Sequence, residues 1–134
     1  MEMDINYLGV VLGGVAFWAL GALWYSPLLF SKAWQAGAGM SDEEAQSGNM
    51  PLIFGMSAVI MMIMTYAVSI IVSFHPPEEQ TFTHSAFHGA MAAVFYCATA
   101  MGINYLYQRK PLKLWLIDAA YQILGLALAA GVYS

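Results

Sequence analysis

Four times along this chain, a run of about twenty residues passes with almost no charge. The first extends from Ile5 to Leu23 without one acidic or basic side chain, and three more follow over about 52–74, 85–107 and 112–133. A helix rising 1.5 Å per residue needs about 20 apolar residues to cross roughly 30 Å of hydrocarbon. Composition leaves little room for a water-soluble alternative. The chain is 60% hydrophobic and 9% charged, where soluble domains carry about 25% charged residues. Four basic and eight acidic side chains would cover a water-exposed surface poorly, and a bilayer removes that need. The expected fold is all-α: a polytopic integral membrane four-helix bundle forming a single transmembrane domain over 1–134. Its helices are expected at about 6–25, 52–74, 85–107 and 112–133, with membrane lipids as the immediate partners.

The connections carry the remaining topology. Trp24 to Trp34 (WYSPLLFSKAW) closes the first run with two aromatics, breaks it at Pro27 and supplies Lys32, the first positive charge. Leu28, Leu29, Phe30 and Trp34 interleave with Lys32 and Gln35, which suits a segment lying among headgroups. Ser41 followed by Glu44 matches a capping box, so a short surface helix is expected before Pro51, itself well placed in a first helical turn. The other connections, HPPEEQ and QRKP, are short enough to make antiparallel hairpins. All four basic residues, Lys32, Arg109, Lys110 and Lys113, lie in or beside the first and third connections. That bias predicts 27–50 and 107–113 on the cytoplasmic side and both termini outside, and it disfavours insertion both ways. Glu2 and Asp4 stand where a cleavable signal would carry basic residues, so none is expected. A net charge of −4 offers no basic stripe for nucleic acid, so no nucleic-acid partner is expected.

In lipid, helices associate through small residues and interhelical hydrogen bonds. Ala86, Ala90, Ala93, Cys97, Ala100 and Asn104 form such a seam on the third helix. Gly55, Ala58, Met62, Thr65, Ser69 and Ser73 form one on the second, and Asp118, Tyr121, Gly125 and Leu128 one on the fourth. The first helix has Gly9, Gly13 and Ala16 on one face and Gly14 and Gly21 on another. Two small faces predict neighbours on both sides, a second copy of the chain among them. Cys97, the one cysteine, reads as a small packing residue.

The passages WYSPLLFSKAW, GNMPLIFG and NYLYQRKPLKLWLIDAAYQ, in this order over nearly the whole chain, resemble a bacterial membrane family known as domain of unknown function 1761. The motifs are a Gly-x-x-Trp-Tyr-x-Pro ending to the first helix, Gly-Asn-Met before the second, and an Asn to Ile-Asp-x-x-Tyr passage across the third and fourth. The resemblance implies a four-helix protein of the bacterial inner membrane and assigns no activity. Gln122 stands where many relatives carry a histidine after the tyrosine, so no role of that histidine carries over.

Asp118 is the one carboxylate well inside an apolar run; a charge at mid-bilayer costs about 2.5–3.5 kcal/mol on insertion scales, and Asp118 is expected below the interface, short of the midplane. It is expected to accept hydrogen bonds from Tyr25 or Trp24 and from Asn104, with Arg109 close by, either as a polar clamp between helices or as a coupling carboxylate. In the second case Tyr25, Asn104 and Gln122 would line a cavity in an oligomeric transporter or channel, with Tyr121 in the same polar cluster. His84 and His88, four apart on one helix face with His75, Glu78 and Glu79 just before them, are candidate metal ligands. They lie about 200° around the helix from the alanine seam, facing headgroups, water or a neighbouring subunit. Ten methionines, densest at Met61, Met62 and Met64, read as flexible packing rather than copper ligands. With no nucleophile–base pair, phosphate loop or cysteine-pair motif, no catalytic residues and no cofactor are expected. The function expected is that of a non-enzymatic, self-associating accessory or scaffold protein, with transport through Asp118 and metal binding through His84 and His88 as alternatives.

Overall fold

The computed structural model describes residues 4–134, so Glu2 lies outside the described residues. The chain is all-α, with no strand among the described residues. The helix α1 runs over Tyr7–Trp24, followed by two short helices, α2 (Ser31–Ala38) and α3 (Asp42–Gln46). Then come α4 (Met50–Ser73), a 3₁₀ turn (Pro77–Glu79) and a long rod over Phe82–Tyr107. The rod comprises α5 (Phe82–Ala92), a π-helical turn (Ala93–Ala98) and α6 (Thr99–Tyr107); α7 (Leu112–Tyr133) follows. Four helices, α1, α4, the rod and α7, are long and apolar enough to cross a membrane. Inside hydrocarbon a helix satisfies its own backbone groups, so apolar runs of this length have few other options.

Local signals set the boundaries. The Asn6 side chain accepts from Gly9 N and starts α1, while Asn49 accepts from Leu52 N and starts α4 ahead of Pro51. The rod begins at Phe82, earlier than the expected start near Ser85, because the Thr81 hydroxyl caps the His84 N–H. Ser41 Oγ accepts from Glu44 N and donates to the Glu44 carboxylate, so α3 opens on the N-cap half of the expected capping box. The helix α2 ends at Gly39, whose φ of 71° is a left-handed conformation that glycine adopts without penalty.

The helix α7 is the hub. Half of its spanning window is buried, more than in any of the other three. It packs against α1 on one side and α5 on the other, while α4 lies mainly along α1 and touches α5 only sparsely. Phe17, Val68, Ala93, Tyr121, Leu126, Ala129 and Ala130 form the main core. The two small faces of α1 are both filled within the chain. A Cβ on Gly13 would sit 2.6 Å from Ala129 O of α7, and one on Gly14 would sit 2.6 Å from Met62 Cγ of α4. That pattern is accounted for without a second copy.

The π turn resets the seam of the rod. The residues buried along it are Ser85, Gly89, Ala93 and Ala98, with half-buried Gly102 and Tyr105 continuing the line. The expected seam passed through Cys97 and Asn104 instead. A π turn holds one residue more than an α turn, so every position beyond it rotates to a new face. The Trp115 indole of α7 donates to Ala98 O at 2.9 Å, using a carbonyl at the end of this turn.

Candidate functional site

The end of α1, the end of α6 and the start of α7 meet around one carboxylate. Asp118 lies about 9 Å along α7 from Leu112 at 1.5 Å per residue and is 6% exposed. The Tyr25 hydroxyl, one residue past α1, donates to Oδ1 at 2.6 Å, and the Tyr105 hydroxyl of α6 donates to Oδ2 at 2.5 Å. Each oxygen therefore has a phenol donor from a different helix. These are short, charge-assisted bonds, the stronger kind.

The surrounding aromatics hold the donors in place. The Tyr25 ring meets Tyr121 edge-on at 5.3 Å and Trp34 of α2 at 6.1 Å. Trp24 donates its indole N–H to Ile117 O at 3.1 Å, fastening α1 to α7 one residue before the carboxylate. Tyr121 donates to Phe17 O at 2.8 Å. It reaches α1 there because Gly21 has no Cβ, which would fall 2.6 Å from the Tyr121 oxygen.

Of the residues singled out around Asp118, Tyr25, Trp24 and Tyr121 come together as one cluster. Asn104 does not join it. It is exposed, and the π turn brings its neighbour Tyr105 to the carboxylate instead. Arg109 is exposed in the turn after α6. Gln122 is half-buried, and its Oε1 is buried with no hydrogen-bond partner among the described residues. Tyr105 escaped the sequence reading because 3.6-residue periodicity gives no sign of a π turn.

A second cluster lies at the other end of the rod, across the thickness of the four helices. His75 follows α4, and His84 and His88 lie in the first turns of α5. Their three candidate ligand atoms lie within 4.8 Å of one another, and all three residues are half-buried. His84 Nε2 and His88 Nε2 are 2.9 Å apart. The third partner of the His84–His88 pair is therefore His75 of the same chain, placed there by the α4–α5 turn. Gln80 Nε2 donates to His75 O at 2.8 Å and braces that turn. Met61 and Met64 pack against the main core, in line with a packing role, and Cys97 is a free thiol, half-buried on the side of the rod near α4.

A family model described as "Protein of unknown function (DUF1761)" matches residues 8–134 of the chain. No curated protein and no solved structure matches it.

Proposed function

This chain belongs to the DUF1761 family of proteins of unknown function, and we propose that it acts there as a non-enzymatic membrane scaffold that assembles with copies of itself. The observation that carries this reading is the state of Asp118. Both carboxylate oxygens are taken by tyrosines from separate helices. A coupling carboxylate must exchange partners during transport, whereas a clamp keeps them. Asp118 then serves to lock α1, α6 and α7 at one membrane face.

What remains for interaction is the outside of the helices. A shallow groove of about 320 Å³ runs between the rod and α7, floored by Ala98, Ala119 and Ala120 and flanked by Val94, Trp115 and Ile123. Small residues on a lipid-facing groove let a neighbouring helix approach closely. The basic residues of 27–50 and 107–113 support a cytoplasmic position for those connections and for the clamp beside them, in a bacterial inner membrane.

One observation favours a second reading. The orphaned Gln122 oxygen lies one turn beyond Asp118 on α7 and would suit a polar path through an oligomer. Reconstituted Asp118→Asn protein separates the two. The scaffold reading expects a lower unfolding temperature, unchanged ion and proton flux through proteoliposomes, and a mass above the monomer by light scattering in nanodiscs. Altered flux at unchanged stability, or a monomer at all concentrations, refutes it.

A further inference from the structure

We propose that His75, His84 and His88 form a binding site for one divalent transition-metal ion of the imidazole-preferring class, with Zn²⁺ as its representative. His84 and His88 are one helical turn apart, so their rings share a face and stack at 4.8 Å between centroids. His75 reaches the same spot from the end of α4, its ring 4.3 Å from that of His88 and 5.0 Å from that of His84.

The nitrogen spacing suits a metal. Zinc–nitrogen bonds of about 2.0–2.1 Å in a tetrahedron place nitrogens roughly 3.3–3.4 Å apart. The His84–His88 pair stands at 2.9 Å, and all three ligand atoms fall within 4.8 Å. Closing the difference calls for rotation of these half-buried rings. Two facing imidazole nitrogens at 2.9 Å must share either a proton or a cation, and a third imidazole beside them favours the cation.

The orientation of His75 is the independent feature. Its Nδ1 lies 3.0 Å from Ile71 O, a carbonyl in the last turn of α4. A carbonyl only accepts, so Nδ1 donates there, and in the neutral ring Nε2 is the nitrogen that keeps a lone pair for a ligand bond. A ring N–H committed to a backbone carbonyl is the usual support for a metal-ligating histidine. Three imidazoles with no carboxylate in the set select zinc, copper, nickel or cobalt over magnesium and calcium, which prefer oxygen. Three protein ligands leave a fourth corner for water or an exogenous group. An ion here would tie the end of α4 to the start of α5, the helix pair that touches only sparsely. The site lies at the opposite membrane face from the Asp118 clamp, so it stands apart from the proposed scaffold role.

The test uses the full chain, tag-free, in detergent, stripped with chelator and titrated with Zn²⁺ against a chromophoric competitor. The expected result is saturation at a single ion per chain, and a Co²⁺ absorption spectrum of the intense four-coordinate kind. Each of His75→Ala, His84→Ala and His88→Ala should weaken binding by roughly 10–100-fold or more, given that even outer-shell changes cost that much. Helicity by circular dichroism checks each variant, and the wild-type Co²⁺ spectrum needs no variant at all. Zn²⁺ binding that does not saturate, or binding by His75→Ala as tight as wild type, overturns the three-histidine site.

Discussion

Replacing Tyr25 by phenylalanine removes one oxygen from the clamp and little else. The ring keeps its edge contacts to Tyr121 and Trp34, so the cost isolates the 2.6 Å bond to Asp118 Oδ1. Hydrogen bonds to charged groups contribute about 1.5–3 kcal/mol in water-soluble proteins, while interhelical polar bonds in bilayers average about 0.6 and reach about 1.7. A short bond to a buried carboxylate belongs at the top of the membrane range, so Tyr25→Phe should cost about 1.5 kcal/mol. In the Asp118→Asn background the acceptor is neutral, and the same change should cost only about 0.5 kcal/mol. The difference, about 1 kcal/mol, is the coupling energy of the pair and exceeds the ~0.3–0.5 kcal/mol scatter of independent sites. Reversible unfolding in mixed mild-detergent and SDS micelles measures all four proteins of the cycle. Equal costs in both backgrounds would show that no phenol–carboxylate bond forms in the membrane, and the clamp would fail with it. Tyr105→Phe repeats the test from the other oxygen.

Three further predictions use the same assay. Gly13→Ala should destabilise by about 1–3 kcal/mol, because its methyl would press on the Ala129 carbonyl and on Thr65, and backbone yields poorly. Gly55→Ala, on α4 with open space around it, should instead stabilise by about 0.5–1 kcal/mol through backbone entropy alone. Gln122→Leu removes a buried oxygen without a partner and should stabilise by about 1 kcal/mol; a loss of similar size would mean that Oε1 finds a partner in the bilayer.

The apolar runs announce their helices because hydrocarbon leaves the backbone few alternatives. Asp118, Tyr25, Trp24 and Tyr121 were legible as a group because all must lie near one helix end, a matter of counting residues. What periodicity could not deliver is the facing of the rod. One additional residue in the turn over Ala93–Ala98 exchanges Asn104 for Tyr105 at the carboxylate. The glycines of α1 signalled close neighbours on two faces, yet composition cannot say whether a neighbour is α4 or another molecule. His75 was visible in the loop, but its turn toward His84 and His88 depends on the short connection braced by Gln80.

The hub of this protein is also the last of its four spans to leave the ribosome. Until α7 is in place, Gly13 faces no Ala129, Tyr25 has no carboxylate to hold, and Trp24 has no Ile117 carbonyl. Without α7, the other three long helices keep little more than the α1–α4 contact among their final pairings. A chain ending before Leu112 would keep the α1–α4 pairing and lose the partner that joins the rest.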